Sequence, residues 1–188
     1  MKKSTLLIMI ILFCIARVFS QSAPAVDENI PYLVTFGADS KTSWGDDDFC
    51  QIFFFRIPDS QTAPVFIRVY DPETGGDIDE PKGAFNTVTR FSVYGGTGCW
   101  SDKDAQAIYP AGNYKSGVLL STKTFSQEMN YNKKYYTFGP FNPYEGEDAD
   151  KLDGRVFKVI AEGVSGDDGN LYRYFLSISP DENIPVEG

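Results

Sequence analysis

Carboxylates are the side chains of this sequence that are best placed to do chemistry, because they are bunched in segments rich in turn residues. The densest run begins where an apolar stretch ends, passes through two glycines and returns several acids to the same neighbourhood. Its candidate metal ligands are Asp71, Asp77, Asp79 and Glu80. Ca²⁺ is coordinated by six to eight hard oxygen ligands from loops, so the run predicts a calcium site. A solvated turn is the alternative, because the same residues build ordinary turns and the spacing is not that of an EF-hand.

Two further groups of acids are weaker candidates for the same cation. They lie at residues 46–48 and 167–170. Neighbouring carboxylates repel one another unless a cation or solvent relieves them. Ca²⁺ bound at any of these segments would therefore stiffen a loop.

Histidine is absent from the entire chain, which excludes several kinds of catalytic site. Without it there is no Ser-His-Asp or Cys-His nucleophile system and no histidine-ligated zinc or iron. Paired carboxylates could still serve a glycosidase, one as acid and one as base or nucleophile. The acids lie in turns among many others, and none stands in an apolar segment that would raise its pKa. We therefore expect a non-catalytic protein and keep a glycan-active enzyme as the alternative.

Two cysteines, Cys50 and Cys99, lie outside the N-terminal segment. In an oxidising compartment an even pair of cysteines is most simply a disulfide, so we expect a bridge between them. Two separate buried thiols are the alternative, because free cysteine packs as a small hydrophobic side chain.

The two tryptophans, Trp44 and Trp100, fall in or beside expected loops. There they could contact a sugar face or a peptide side chain. Packing that anchors a loop is the alternative for both. Phe53, Phe54 and Phe55 are consecutive, so a strand must present at least one of them to its other face.

The N-terminus has the pattern of a secretory signal peptide. Lys2 and Lys3 precede an apolar run at residues 6–16, which is too short to span a bilayer. We expect cleavage before Gln21, export to the periplasm, outer membrane or cell surface, and no transmembrane segment in the mature chain. Removal of residues 1–20 leaves 14 basic and 26 acidic side chains, a formal net charge of −12. This acidity disfavours nucleic acid as a partner.

Short apolar runs separated by turn residues dominate the rest of the chain. These runs are residues 32–36, 50–57, 65–70, 89–94, 118–125, 134–138, 155–162 and 171–178. Several alternate apolar and charged residues with period two, and no stretch has a convincing helical stripe. This pattern predicts an all-β antiparallel sandwich of about eight strands, with a closed barrel as the alternative. Residues 21–31 are expected to be a flexible leader and residues 32–188 a single domain.

Two segments carry a resemblance to a known family. Residues 65–72 and 166–176 resemble parts of the pre-peptidase C-terminal type of β-sandwich, in which a strand ends in an Asp-containing turn and a later Gly-Asn-x-Tyr begins an outer strand. The whole mature chain is also similar to an N-terminal domain of some Gram-negative envelope proteins that carry an outer-membrane-protein-A-like domain. The resemblance implies a jelly-roll-like sandwich, an accessory role and calcium association, with Asp71, Asp77 and Asp79 at the matching positions.

Together these patterns favour an exported binding and scaffolding module. We expect it to be stabilised by Ca²⁺ and to engage an envelope protein or a glycan through its loops or an exposed sheet face. A structural subunit of an outer-membrane or cell-surface assembly is a further alternative, beside the glycan-active enzyme.

Overall fold

The molecule consists mainly of short β-strands, along several of which buried and more exposed side chains alternate. The computed structural model describes residues 22–44, 48–107 and 110–187, which form ten strands and three single-turn 3₁₀ helices. The strands are β1 (Ser22–Ala23), β2 (Leu33–Phe36), β3 (Cys50–Pro58), β4 (Val65–Tyr70), β5 (Val88–Gly95), β6 (Val118–Phe125), β7 (Tyr135–Phe141), β8 (Glu147–Ala149), β9 (Gly154–Ser165) and β10 (Gly169–Ser177). The 3₁₀ helices are Thr42–Trp44, Pro143–Glu145 and Asp150–Leu152.

The first sheet has the order β1-β10-β4-β7, and all its pairs are antiparallel. β2 joins it by pairing with residues 169–172 of β10. Arg173 on β10 lies opposite Tyr70 on β4, which lies opposite Tyr135 on β7. These three side chains therefore share one face of the sheet.

The second sheet has the order β3-β9-β5-β6 and is also antiparallel. β9 is its central strand. One edge of β9 pairs with β3, and the other pairs with β8 at residues 154–156 and with β5 at residues 158–165. Both edges of β9 are therefore hydrogen-bonded to neighbouring strands.

The core lies between the two sheets and is rich in aromatic rings. The first sheet contributes Ile67, Val69, Phe138, Tyr172, Tyr174 and Leu176, and the second contributes Phe55, Ile57, Phe91, Val93, Phe125, Phe157, Val159 and Ala161. Ring edges meet ring faces across the interface: the Phe91 and Tyr172 centroids are 5.0 Å apart at 88°. Edge-to-face contacts of this kind add to the free energy of burial. The hydroxyl of buried Tyr172 bonds to Thr35 at 2.6 Å and to Gln51 at 2.9 Å.

The predicted antiparallel β-sandwich is confirmed, with ten strands in two sheets instead of a closed barrel. Each of the eight apolar runs overlaps a strand. β1 and β8 have only two and three residues, which is too short for a periodic pattern. Within the expected leader, Ser22 and Ala23 pair with β10. Phe53 and Phe55 both contact the ring of Tyr174 in the core, so Phe54 between them faces the other side of β3.

No helix in the described residues is long and apolar enough to cross a membrane. The expected signal segment, residues 1–20, lies outside the described part of the chain.

Replacing one core valine tests the packing of the sandwich. Val159 is fully buried on β9, so Val159→Ala removes two buried methyl groups and leaves a cavity. We expect a loss of about 2–3 kcal/mol in the free energy of unfolding, measured by urea denaturation. Val118→Ala on β6 is the matched control, because that side chain is 57% exposed, and it should cost less than about 0.5 kcal/mol. Equal losses for the two variants would contradict this description of the core.

Candidate functional site

The candidate site lies where β4 ends. Asp71 follows the last residue of β4 with a φ of 53°, in the left-handed region, and the chain turns there into a loop of residues 71–80. Two other segments pack against this loop: residues 126–134, between β6 and β7, and the beginning of β10. Backbone hydrogen bonds join Asp71 N to Lys134 O at 2.8 Å and Thr74 N to Ser126 O at 3.2 Å.

Asp71 is a buried carboxylate with only half of its hydrogen-bonding capacity satisfied. Its Oδ1 accepts a hydrogen bond from the backbone N–H of Lys133 at 3.0 Å. Its Oδ2 is buried and has no partner among the described residues. Burial raises the pKa of Asp71, which means that the charged form is poorly solvated there.

Glu73 repeats this arrangement two residues further along. The side chain is fully buried, and Oε2 accepts from the backbone N–H of Glu128 at 2.9 Å. Its Oε1 has no partner in the described structure. Burial raises the pKa of Glu73, and the neighbouring charges of Asp71 and Glu128 add to this rise.

Two amide oxygens and one hydroxyl oxygen lie in the same region. Asn170, at the beginning of β10, donates through Nδ2 to Pro72 O at 3.0 Å, which brings its side chain to the loop between Asp71 and Glu73. Asn132 lies against Gly76, where a Cβ would come within 2.9 Å of the Asn132 side chain. We call the following five buried atoms the oxygen cluster. They are Asp71 Oδ2, Glu73 Oε1, Thr74 Oγ1, Asn132 Oδ1 and Asn170 Oδ1, and each has no hydrogen-bond partner among the described residues.

Asp79 is buried beside this cluster but uses both of its oxygens. Oδ2 accepts from Gly75 N and Oδ1 from Leu171 N, each at 2.7 Å. Burial raises the pKa of Asp79 to about 7, although these two hydrogen bonds oppose the rise. Asp79 therefore ties the loop of residues 71–80 to β10, and it offers no free oxygen.

The structure separates the four acids that the sequence suggested as metal ligands. Asp71 and Asp79 are buried, whereas Asp77 and Glu80 point to solvent. The Asp77 side chain is 76% exposed and pairs with Lys133 at 2.5 Å. Glu80 forms a backbone bridge with Gly169. Among the residues that the structure describes, no three His, Cys, Asp or Glu side chains are grouped so that they could hold a metal ion.

The oxygen cluster combines two carboxylate oxygens with three neutral oxygens. Asp71 and Glu73 supply charge, and Asn132, Asn170 and Thr74 supply hard neutral donors, which is the mixture that Ca²⁺ accepts. A buried acceptor without a partner costs about 1–3 kcal/mol, so five together need a physical explanation. Glu73 belongs to the acidic run at residues 71–80 that the sequence predicts to bind calcium, but it is not one of the four ligands proposed from the sequence. Asn132 carries no such signal, because nothing in a turn asparagine distinguishes a ligand from an ordinary turn residue.

The other acidic candidates behave differently. Asp168 is fully buried, and its carboxylate accepts from the backbone N–H groups of Lys82 at 2.8 Å, Asn86 at 2.7 Å and Thr87 at 3.2 Å. Its oxygens hold a loop and are not free for an ion. Asp46 and Asp47 lie outside the described residues.

The expected disulfide is not formed, and Cys50 and Cys99 are free thiols. Cys50 lies opposite Glu162 of β9, whereas Cys99 Sγ is 3.2 Å from the carbonyl of Val156. Six residues of β9 separate these two points, about 20 Å at about 3.3 Å per residue, which is far beyond disulfide geometry. Burial raises the pKa of Cys50 to about 12 and that of Cys99 to about 11, so both thiols are poor nucleophiles.

Trp100 is half-buried against the small apolar cluster of Tyr94, Cys99 and Ile160. It therefore helps to anchor the loop between β5 and β6 on the outer face of the second sheet. The side chain of Trp44 lies outside the described part of the molecule.

Two buried charges hold this β5–β6 loop. Glu147 accepts hydrogen bonds from Gly98 N at 3.0 Å, Trp100 N at 2.6 Å, Ser101 N at 3.0 Å and the hydroxyl of Ser101. Burial by itself raises the pKa of Glu147, but these hydrogen bonds outweigh it and bring the pKa down to about 2. Lys158 Nζ, fully buried, donates to the carbonyls of Tyr114 and Ser116 at 2.7 Å each.

Comparisons of the chain with protein-family models, with curated proteins and with solved structures found no match. The interpretation of the site therefore depends on its own geometry and chemistry.

The Glu147 contacts give a pH-dependent prediction. Glu147→Gln replaces a carboxylate that accepts from four donors by an amide that has only one acceptor oxygen, so it should lower the free energy of unfolding at pH 7 by about 1–3 kcal/mol. The pKa of the carboxylate is depressed in the folded state, so its contribution is present above about pH 4.5 and is lost as the pH falls towards 2. Urea denaturation of both proteins across this range should show their difference shrinking.

Asp148→Asn is the control for this experiment. Its carboxylate is adjacent in sequence but 60% exposed, with an ion-pair distance of 3.4 Å to Arg155. Its removal should change stability by less than about 1 kcal/mol at every pH. A difference between wild type and Glu147→Gln that persists at pH 2 would show that the stabilisation does not come from the ionised carboxylate.

Proposed function

We propose that this chain is an exported, non-catalytic binding and scaffolding module whose loop edge is stiffened by Ca²⁺. The observation that carries the proposal is the oxygen cluster, in which five buried oxygen atoms from three separate segments have no hydrogen-bond partner in the described part of the chain. Asp71, Glu73, Thr74, Asn132 and Asn170 are the residues that would hold the ion.

Electrostatics supports a cation at this place. Asp71 and Glu73 are both fully buried, and their charges act on each other. A buried, uncompensated carboxylate is strongly unfavourable, so such groups are protonated, paired or bound to a metal. Lys133 does not pair with either acid, because its side chain is 49% exposed and its ammonium group pairs with Asp77 instead. A small divalent cation among the free oxygens would compensate both acids at once.

Stiffening follows from where the oxygens lie in the chain. Asp71, Glu73 and Thr74 belong to the loop after β4, Asn132 to the segment before β7, and Asn170 to β10. A single ion that binds all three segments would link three strands of the first sheet at one end. Sites of this type in extracellular modules have dissociation constants of about 10⁻⁴ to 10⁻³ M, which suits permanent stabilisation.

Export and a binding role complete the proposal. The signal pattern at residues 2–16 and the acidic composition support a protein that works outside the cytoplasm, where it would engage an envelope protein or a glycan. Two surface cavities each have a single carboxylate in their described lining, Asp48 in one and Glu28 in the other. A glycosidase needs two carboxyl groups that face each other across the sugar.

Calcium-dependent melting tests the metal. At 10 mM CaCl₂, about 100 times a dissociation constant of about 10⁻⁴ M, binding should stabilise the folded protein by about 2.7 kcal/mol and raise its melting temperature by about 5–10 °C relative to EDTA. Asp71→Asn should abolish most of this shift. In EDTA, the same variant should melt at or above the wild-type temperature, because it removes a buried charge.

Asp77→Asn is the matched control, since Asp77 is in the same loop but points to solvent. It should keep the full calcium shift. An unchanged melting temperature of the wild type in calcium, or an equal loss of the shift in both variants, would contradict a site at the oxygen cluster.

Export is tested separately by the N-terminus of the secreted protein. Expression of the full chain in a Gram-negative host should yield a periplasmic form that begins at Gln21, identified by N-terminal sequencing. A cytoplasmic product that retains residues 1–20 would contradict export and would leave the calcium site unaffected.

A further inference from the structure

A cavity of about 530 Å³ lies on the outer face of the first sheet, away from the oxygen cluster. Its lining includes Pro24, Ile30 and Pro31 from the segment after β1, Tyr135 from β7 and Arg173 from β10. No residue of the oxygen cluster contributes to it. The volume is in the range of small-molecule sites, which are typically about 300–1,000 Å³.

Arg173 contacts two aromatic rings beside this cavity, and the described residues give its side chain no hydrogen bond. Its Cζ is 4.5 Å from the ring centroid of Tyr70 and 5.8 Å from that of Tyr32. The two tyrosine rings stack on each other with centroids 6.4 Å apart. Arg173 Nε is buried and has no hydrogen-bond partner among the described residues. The rings favour this position of the guanidinium through cation–π contacts, and no hydrogen bond to a described residue competes with a ligand there.

Arg68, on the same face of the sheet, differs from Arg173 because its guanidinium donates hydrogen bonds to other residues. Its Nη1 donates to Asn183 Oδ1 at 2.5 Å and its Nη2 to Asp181 O at 2.9 Å. Arg68 therefore holds the C-terminal loop against the sheet. The absence of equivalent bonds at Arg173 within the described structure marks its guanidinium as a group that can receive a ligand.

Tyr135 adds a second donor beside Arg173. Its hydroxyl oxygen accepts a hydrogen bond from Asn183 Nδ2 at 2.8 Å, so its own proton is available to donate. Glu28 is the one acid in the described lining. The remaining lining is partly apolar, with prolines and an isoleucine opposite the sheet.

We propose that this cavity binds a small organic monocarboxylate whose acid group is attached to a ring. A guanidinium presents paired N–H donors that match the two oxygens of a carboxylate, and the Tyr135 hydroxyl gives a further donor. The formal charge of the whole chain is −9, which opposes multiply charged anions and favours a ligand with one charge. The volume and apolar lining require a body larger than the acid group, and a pyranose or an aromatic ring meets that requirement.

Titration with four probes tests the proposal and identifies the ring. The purified protein is titrated by NMR in EDTA with glucuronate, glucose, benzoate and benzyl alcohol, each to 20 mM. We expect one acid to bind saturably and its neutral counterpart to bind at least tenfold more weakly. Glucuronate binding identifies a sugar acid, and benzoate binding identifies an aromatic acid. EDTA separates this result from the calcium proposal, so either can fail alone.

Two variants test the residues involved. Arg173→Lys keeps the charge and loses the paired donors, so the affinity should fall by about tenfold or more. Tyr135→Phe keeps the ring and loses the hydroxyl, so the affinity should fall several-fold. Arg56→Lys is the control. Arg56 lies on β3 of the second sheet and donates to Leu152 O and Asp153 O in the turn before β9, so the affinity of this variant should not change.

Three results would overturn the proposal. These are the absence of saturable binding by either acid, wild-type affinity in both cavity variants, and an equal loss of affinity in Arg56→Lys. Melting temperatures of all variants show whether each one is folded, and Tyr135→Phe keeps the test decisive if Arg173→Lys is unstable.

Discussion

The register of β10 is the constraint on which most of this structure depends. Successive side chains of a strand point to opposite faces of the sheet, so the register of one strand determines which side chains lie on each face. On β10, Tyr172 and Tyr174 point into the core, and Tyr172 meets Phe91 edge to face. Asn170, two residues earlier, shares that inward face and reaches the loop after β4. Arg173 points the other way, into the outer cavity. A shift of one residue would exchange these faces and remove the core, the oxygen cluster and the cavity together.

Buried carboxylates organise the loops that surround this frame. Asp79, Asp168 and Glu147 each accept backbone N–H groups with both oxygens, and each thereby connects segments that are distant in sequence. Asp71 and Glu73 depart from this pattern, because each leaves one buried oxygen without a partner in the described structure. The other buried acids of the described structure are satisfied on both oxygens, and the proposal of a Ca²⁺ site rests on this difference.

The outer faces of the two sheets differ in how their charges are used. On the second sheet, Glu162 accepts from Arg90, Lys115 and Tyr114, with the Lys115 ion pair at 2.7 Å. Burial raises the pKa of Glu162, but its hydrogen bonds to Lys115, Tyr114 and Arg90 outweigh burial and lower it. That face is internally paired and covered by the β5–β6 loop. On the first sheet, Arg173 lies over the rings of Tyr70 and Tyr32. Its buried Nε has no hydrogen-bond partner among the described residues, and the proposed anion site rests on this difference between the two faces.

The sequence by itself determined the strands and the architecture. Alternation of apolar and charged residues with period two is a local property of the chain, so it can be recognised without knowing which strands pair. It also placed Asp71 and Asp79 in an acidic turn at the end of a strand. Tertiary structure alone decided which acids are buried, since Asp77 and Glu80 have the same local chemistry as Asp71 and yet face solvent. It also separated Cys50 from Cys99 along β9, and it brought Asn132 and Asn170 to Asp71 from segments about 60 and 100 residues away. Strand pairing sets such distances, and no local pattern encodes which strands will pair.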